Sequence, residues 1–379
     1  MGTLTEIQPQ LSKMAAVCTR LVSLDVFRGM TIAGMILVND AGDWAHVYWP
    51  LEHAEWNGWT PTDLVFPFFL FIVGVSMVMS FDSRRARGAS RSELLVHALK
   101  RSAIIFALGI FLNGYPHYDL HTIRIPGVLQ RIAVVYLIAS VVVLFAGRVA
   151  RMVTAAALLI GYFLLMRLVP VPGYGAGVLS PDGNLAAYLD RVVMYNHLYV
   201  THRYDPEGIL STLPAIVTCL IGVFVGEWMC GKQPRQIVRG LLTGAAVGLS
   251  LGQLWNLWFP INKNLWTSSY VLFTGGFAMA ILALCYWLVD VRGWRRWAQP
   301  FVWFGMNPLA IYFLAGWVGK ASVVHTVGGV RLKTAVYNNV FAHMFASPYM
   351  NSVAYAICYV LLFWLVAWVL YRQKIFIRV

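Results

Sequence analysis

The chain has 379 residues, of which 59% are hydrophobic and 12% are charged, and its formal net charge is +13. A soluble domain would carry about 25% charged residues, so this composition excludes an ordinary globular protein and predicts an integral membrane protein. The basic residues fall in short segments between apolar runs, which is typical of membrane orientation rather than of nucleic-acid binding. We therefore expect a lipid bilayer, and no nucleic acid, around this chain.

Apolar runs long enough to cross a bilayer follow one another along the sequence. We predict helices near residues 22–43, 61–81, 98–115, 127–146, 150–169, 211–229, 237–259, 267–289, 299–318 and 352–371. Residues 334–346 are a candidate for an additional interfacial or re-entrant segment. The predicted fold class is an all-α polytopic membrane bundle of about ten transmembrane helices. It comprises an N-terminal segment at 1–20, which lacks the features of a signal peptide, and one transmembrane domain at 21–379.

The charges of the connecting segments alternate along the chain. Basic clusters follow the second, fourth, sixth and eighth predicted spans, and both ends of the chain are basic as well. The opposite segments hold most of the acidic residues, with scattered exceptions such as Arg124 and Lys263. By the positive-inside rule, both termini are cytoplasmic and the segment that contains His53 faces the outside.

The stretch HAEWNGWTPTDLVFPFFLFIVG, residues 53–74, places polar groups at the outer mouth of a membrane helix. Thr60 followed by Pro61 predicts the start of that helix. Asp63 lies just inside it, where a carboxylate either caps the helix or faces a site. His53 and Asn57 precede the helix, and a histidine with this context is a candidate for proton transfer.

Ionisable and amide residues inside apolar runs are functional candidates because they are costly in a bilayer. In the first span, Asp25, Arg28 and Asn39 share one helical stripe, which is either a packing seam with an ion pair or part of a site. Arg131, beside Gln130, either extends to the interface or forms a pocket wall. We place seven polar residues at one depth near the outer face: Asn39, Asp40, His53, Asp63, Asn113, Arg131 and Asn256.

Other kinds of site find little support in the sequence. The histidines lack metal-ligand spacing, so we expect no metal, and the five cysteines show no paired spacing, so we expect no disulfide. The motifs of α/β-hydrolases and of soluble nucleotide-binding folds are missing from the sequence.

Six segments are similar to those of the transmembrane acyltransferases related to heparan-α-glucosaminide N-acetyltransferase. They are SLDVFRGMTIAGMILVN, HAEWNGWTPTDLVFPFFLFIVG, IPGVLQRIAVVYL, YDPEGILSTLPAI, INKNLWTSSYVLFT and FGMNPLAIY, in the family's order. The resemblance runs from about Arg20 to the C-terminus, and it is closest to a bacterial-type membrane core without the family's additional N-terminal span and luminal domain.

The resemblance implies transfer of an acetyl group from cytosolic acetyl-CoA to the amine of an amino sugar or glycan on the outer, periplasmic side of a bacterial inner membrane. It identifies His53 as the catalytic histidine and Asn39 as a residue of the same site. Asp40, Asn57, Asp63, Asn113, Arg131 and Asn256 are then candidates for binding the acceptor. Whether the protein forms a homodimer stays open.

The proposed chemistry also follows from the residue types. A neutral imidazole could take the proton of the acceptor amine, which we favour, or could itself carry the acetyl group. The amide of Asn39 could stabilise the developing oxyanion. Arg28, Lys100 and Arg101 are candidates for holding the CoA phosphates at the inner mouth, although the orientation rule alone also explains basic residues there. The alternative function is an amino-sugar permease, whose transport path the same polar stripe would line.

The charge alternation makes a testable prediction about topology. A reporter fused within the segment that holds His53 should read as external, and one fused after Arg85 should read as cytoplasmic. Labelling of the segment after Arg85 by a membrane-impermeant reagent in intact cells would contradict this orientation.

Overall fold

The architecture is taken from a computed structural model that describes residues 21–200 and 203–377. The predicted N-terminal segment at 1–20 lies outside the described residues, so its cytoplasmic location stays a prediction. The helices are α1 (Val22–Asn39), α2 (Val65–Arg85), α3 (Arg91–Gly114), α4 (Val128–Phe145), α5 (Arg148–Leu168), α6 (Leu185–Met194), α7 (Thr212–Met229), α8 (Pro234–Trp255), α9 (Ser268–Cys285), α10 (Gln299–Met306), α11 (Pro308–Val324), α12 (Leu332–Val336) and α13 (Pro348–Arg372).

Paired β-structure in the described part of the chain consists of two very short antiparallel hairpins and an isolated bridge between Val200 and Tyr204. β1 (Pro170–Val171) pairs with β2 (Gly175–Ala176), and β3 (Thr326–Val327) pairs with β4 (Val330–Arg331). The first hairpin lies between α5 and α6, and the second lies between α11 and α12. The all-α polytopic fold class is therefore confirmed.

Nine helices within the described residues are long and apolar enough to cross a membrane, and the predicted span at 299–318 is broken. Residues 299–318 were predicted as one helix, but α10 and α11 meet at an angle of 84°. Pro308 lacks the N–H that a continuous helix needs. The side chain of Asn307 at the break bonds the C-terminal segment instead, donating to the carbonyl of Ile375 (2.9 Å) and accepting from the N–H of Ile377 (2.7 Å). The prediction of a single straight helix is wrong here.

The ends of two helices differ from the prediction. α1 ends at Asn39 rather than near residue 43. α3 begins at Arg91, seven residues before the predicted start, because Ser90 and Glu93 form a capping box. The candidate segment at 334–346 overlaps the end of the short helix α12 and includes a π-helical turn at Tyr337–Phe341, and neither qualifies as a membrane span.

The cysteines differ from expectation at one position. Cys230 is disulfide-bonded, so the prediction of no disulfide is wrong there, whereas Cys219, Cys285 and Cys358 are free thiols. Cys18 lies outside the described residues. The described residues contain no group of three or more His, Cys, Asp or Glu side chains that could hold a metal ion, and the absence of a metal stays a prediction.

Glycines set the closest helix contacts of the bundle. A Cβ added at Gly74 of α2 would lie 2.0 Å from the carbonyl oxygen of Cys219 in α7, and one at Gly222 of α7 would lie 2.0 Å from the carbonyl oxygen of Phe71. Gly29 and Gly305 bring α1 and α10 together in the same way. Small residues allow this backbone approach in membrane bundles. α2 and α7 consequently lie in the middle of the bundle, and both carry buried faces for most of their length.

The close contact of α2 with α7 predicts the effect of a single methyl group. Gly74→Ala should lower the thermal unfolding temperature in detergent, because the added carbon overlaps a backbone oxygen that cannot move alone. Gly161→Ala in α5 is the matched control, since an added Cβ there meets nothing within 4 Å. It should be neutral, or stabilising by up to about 1 kcal/mol through helix propensity. Equal unfolding temperatures for the two variants would contradict this account of the packing.

Candidate active site

Asp63 is a buried carboxylate at the start of the second span. Its Oδ2 accepts hydrogen bonds from the backbone N–H groups of Ala54 and Thr60, each at 3.0 Å, and it completes a capping box with Thr60. Its Oδ1 lies 2.7 Å from Nδ1 of His53. Capping and a place in the site were alternatives from the sequence, and the structure combines them: one carboxylate caps the helix start and holds the imidazole.

His53 is oriented by this contact while one side of its ring stays accessible. An ionised carboxylate only accepts hydrogen bonds, so Nδ1 must donate to Asp63 and Nε2 keeps its lone pair. The side chain of His53 is 48% exposed, whereas that of Asp63 is 1% exposed. A ring held from behind by a carboxylate, with its second nitrogen on the accessible side, is suited to act as a general base or as a nucleophile.

Lys263 brings a cation to the same point. Its Nζ lies 3.1 Å from both ring nitrogens of His53 and 3.8 Å from Oδ1 of Asp63. Burial lowers the pKa of Lys263, and the negative charge of Asp63 partly opposes this effect. The sequence analysis treated Lys263 only as an exception to the charge rule. The sequence could have singled it out, because it is a lysine, in the INKN motif, on the side of the membrane where basic residues are otherwise scarce.

Hydrogen bonds tie the segment of Lys263 to the segment of His53. The amide of Asn262 donates to Oδ1 of Asn57 (3.1 Å), and the N–H of Gly58 donates to the carbonyl of Ile261 (2.8 Å). Asn57, predicted to contact substrate, thus bridges two loops and remains exposed. Asn256 likewise serves the loop, because its side chain accepts from the N–H of Ile261 at 2.7 Å.

A second charged cluster lies in the connection that precedes α7. Arg124 donates to both oxygens of Asp205 (2.8 and 2.7 Å) and to Glu207 (2.5 Å). Burial raises the pKa of Glu207, but Arg124 and Arg131 more than offset burial and hold that pKa below its ordinary value. Glu207 also interacts electrostatically with Lys263. Asp205 and Glu207 belong to the YDPEG motif, and the sequence analysis assigned them no role.

Arg131 lies inside the protein and does not reach the interface. It is 2% exposed, donates to the carbonyl of Gly208 (3.2 Å) and to the hydroxyl of Ser211, and stacks over Trp266 with 5.0 Å between its Cζ and the ring centre. It lines a cavity of about 190 Å³ with Gln130 and Glu207. This placement corresponds to the pocket-wall alternative.

Asn39 and Asp40 line a different cavity, of about 420 Å³, together with Trp44, Tyr115, Lys320 and Lys333. Among the described residues, the amide of Asn39 has no hydrogen-bond partner. His53 does not line this cavity. Burial raises the pKa of Asp40 to about 7, and Lys333 only partly counteracts it. The structure therefore places Asn39 and Asp40 apart from the contacts of the imidazole.

Arg28 and Arg101 meet at a third cavity, of about 270 Å³, near the opposite end of the bundle. Arg84 and His97 also line it, and none of the described residues in its lining carries a carboxylate. Arg28 is held by Asp25 (3.0 Å), the carbonyl of Gly305 (3.1 Å) and Ser76 (2.6 Å). Arg101 lies 4.7 Å from the ring centre of Tyr136, and its buried Nε has no hydrogen-bond partner. Lys100 is exposed and does not line this cavity.

The same cavity follows one face of α2 towards His53. Phe69, Val73, Ser76, Ser80 and Arg84 line it at helical spacing, which corresponds to about 22 Å along the helix. Phe69 comes six residues after Asp63, so the cavity approaches the imidazole to within roughly 10 Å along the axis. α2 therefore connects an arginine-lined end to the His53–Asp63 pair.

Asn113, the remaining predicted site residue, has a structural role. Its amide donates to the carbonyls of Arg124 (3.0 Å) and Pro126 (2.9 Å) and so shapes the entry to α4. The seven polar groups placed at one depth by the sequence analysis are thus distributed over three local settings. His53 and Asp63 share one, Asn39 and Asp40 another, and Arg131 a third, while Asn113 and Asn256 hold loops.

The family profile described as heparan-alpha-glucosaminide N-acetyltransferase, catalytic, matches residues 20–252, more than half of the chain. The chain belongs to this family. The matched region contains Asn39, His53, Asp63 and Glu207, and it ends before Lys263. The resemblance noted on the motifs is thereby confirmed.

Two curated members of the family align with most of this chain. The heparan-alpha-glucosaminide N-acetyltransferases of Homo sapiens and Mus musculus are 35% and 32% identical to it over 368 and 367 residues. Each alignment covers 81% of this chain and 54% of the relative. The chain therefore spans about half the length of the curated relatives it matches.

The raised pKa of Asp40 predicts a pH-dependent stability. A carboxyl whose folded pKa is about 7, against an ordinary value of 3.8, contributes stability at low pH that is lost as the pH rises to 7. Asp40→Asn, neutral at every pH, should therefore gain in thermal unfolding temperature over the parent between pH 5 and pH 8. Asp182→Asn is the control: Arg203 lowers the pKa of Asp182, so the difference from the parent should stay constant over that range. A constant difference for Asp40→Asn would contradict the assignment.

Proposed function

We propose that this chain is a membrane-embedded acetyltransferase that transfers the acetyl group of acetyl-CoA to the amine of an amino sugar or glycan. The observation that carries the proposal is the half-exposed imidazole of His53, held by the buried carboxylate of Asp63 in a chain of this family. The curated relatives are named as N-acetyltransferases of heparan-α-glucosaminide. The substrate in that name supports an amino sugar as the acceptor class.

Acetyl-CoA is proposed to enter from the end of the bundle where α2 finishes. Its phosphates would bind Arg28, Arg84 and Arg101, whose cavity lining carries no carboxylate. A donor with phosphates at one end and a thioester at the other fits a cavity that is long and follows α2 towards His53. Arg28 and Arg101 therefore remain the proposed cofactor-binding residues, whereas Lys100 would contribute only general charge.

The proposed reaction joins the acceptor nitrogen to the acetyl carbonyl carbon and breaks the carbon–sulfur bond of the thioester. In the direct route, Nε2 of His53 takes a proton from the amine, and CoA leaves as a thiolate that is then protonated. In the covalent route, Nε2 first attacks the carbonyl, and the amine then displaces the acetyl group from the imidazole. Either route yields the N-acetyl amine and free CoA, and we favour the direct one.

Lys263 is the proposed donor to the oxyanion that develops on the carbonyl. Its ammonium lies 3.1 Å from the ring that meets the substrate, so a carbonyl carbon near Nε2 would place its oxygen within reach of Nζ. Asn39, proposed for this role from the sequence, lines another cavity and keeps an unpaired amide that is available to the acceptor. Asp40, in the same cavity, would bind hydroxyl groups of the acceptor away from its reacting amine.

We further propose that the reaction is two-sided, in a bacterial inner membrane with both termini cytoplasmic. The donor cavity and the imidazole lie towards opposite ends of α2, and the charge alternation orients these ends. Acetyl transfer would then move the group across the bilayer without moving the sugar.

The central test is removal of the imidazole. His53→Ala should lower acetyl transfer to glucosamine by at least 10²–10⁴-fold, the usual effect of losing a general base, while acetyl-CoA still binds because its proposed contacts are elsewhere.

Asp63→Asn should also lose activity because the ring loses its anionic partner. Lys263→Met should lower kcat more than it changes the KM for the acceptor. CoA release and acetyl-CoA binding are measured on the full chain in detergent.

His121→Ala is the matched control, since His121 is an exposed histidine of another outer connection. It should keep parental activity. Incubation with acetyl-CoA alone separates the two routes: one equivalent of free CoA and an acetylated His53 indicate the covalent route. Near-normal activity of His53→Ala refutes the site. Amino-sugar uptake by vesicles without CoA release would favour the permease.

A further inference from the structure

A crevice unrelated to the proposed reaction opens between α5 and α8 at the end of the bundle that holds Arg85. α5 packs on α7 and α8 packs on α9, so α7 forms the floor between them. Two adjoining cavities, of about 660 and 330 Å³, occupy this space and share Arg148 and Phe224. Neither shares a residue with the donor cavity along α2. The crevice is therefore a separate feature of the fold.

Fixed side chains build one wall of the crevice. The indole of Trp228 lies against the backbone of α8, since a Cβ added at Gly240 would lie 2.1 Å from the ring. Met279 of α9 similarly covers Gly244, where an added Cβ would lie 2.8 Å from the sulfur. Close packing of this kind gives the crevice a defined shape.

The mouth of the crevice carries excess positive charge. Arg148 begins α5, and Arg239 lies in the second turn of α8. Neither guanidinium has a hydrogen bond or ion pair with any described residue. The carboxylate of Glu227, which lines the smaller cavity, is paired with Arg151, and Arg151 also donates to the carbonyls of Ala146 and Val143 (each 2.8 Å). Two unpaired arginines thus remain at the mouth.

The depth of the crevice is apolar. Ile221 lies eight residues, or about 12 Å, from the end of α7 at Met229, and Thr243 lies nine residues, or about 13 Å, from the start of α8 at Pro234. Phe224 and Met279 complete this part of the lining. The cationic groups stand at the level of the membrane interface and the apolar groups at the level of the acyl chains.

We propose that this crevice binds a phospholipid with an anionic headgroup. The phosphate would lie between Arg148 and Arg239, beside Trp228, and an acyl chain would run along Phe224 and Ile221. Basic pockets between transmembrane helices are known to suit anionic lipid headgroups on the cytoplasmic side. The proposal is independent of the acetyltransferase function, because no residue of the crevice lines the donor cavity or contacts His53.

Native mass spectrometry of the delipidated full chain provides the test. Phosphatidylglycerol and phosphatidylcholine with the same acyl chains are added in turn, and the retained lipid is counted. The parent protein should retain phosphatidylglycerol on the order of tenfold better, as expected for two basic contacts. Arg148→Gln/Arg239→Gln should lose this preference. Arg295→Gln/Arg296→Gln is the control, because it removes two exposed charges at the same end of the bundle, outside the crevice.

A second variant tests the apolar part of the site. Thr243→Trp keeps both arginines but fills the crevice, and it should lower retention of phosphatidylglycerol to the level of the arginine variant. If Thr243→Trp does not fold, the smaller Thr243→Phe is used in its place. Glycerol phosphate, the headgroup without acyl chains, should not displace the bound lipid at equal concentration. The proposal is overturned by equal retention of the two lipids in the parent protein. It is also overturned by an equal loss in the Arg295/Arg296 control, by unchanged retention when the crevice is filled, or by displacement with glycerol phosphate.

Discussion

The carboxylate of Asp63 is the constraint on which the candidate site depends. It satisfies two backbone N–H groups at the start of a membrane span, where unpaired donors would be costly, and the same carboxylate holds the ring of His53. Because it is buried, its negative charge needs cationic neighbours, and Lys263 supplies one from a segment 210 residues beyond His53. Helix capping, ring orientation and charge balance are therefore coupled.

Charges elsewhere in the bundle follow the same rule. Arg28 is neutralised by Asp25, Arg124 by Asp205 and Glu207, and Arg151 by Glu227. Each pair joins or stabilises neighbouring elements, because an unpaired charge in a bilayer is expensive. The exceptions, such as the Nε of Arg101 and two nitrogens of Arg131, line cavities. Both arginines therefore keep donors for another molecule inside their cavities.

The site was only partly predictable. His53 and Asp63 were found because they lie ten residues apart around a recognisable helix start, so their proximity is a local property of the chain. Lys263 and Glu207 were missed as site residues because each comes from a distant connection, and nothing in the composition of those connections ranks one charge above another. Asn113 and Asn256 hold loops in the structure, and their contact with a substrate stays a prediction, since an amide at the end of a span can serve either purpose.

The sequence by itself determined the membrane class, nearly all the spans and the helix start at Pro61, because span length and capping depend on neighbouring residues alone. The break at Asn307 escaped it, since the amide there bonds a segment about 70 residues further along the chain. Only the tertiary structure decided which polar groups share a cavity. Helix packing decides that Asn39 is separate from His53 and that Arg28 and Arg101 line one cavity. It also brings Lys263 next to the imidazole. Contacts between helices far apart in sequence determine that packing, and such contacts cannot be inferred from hydropathy or residue spacing.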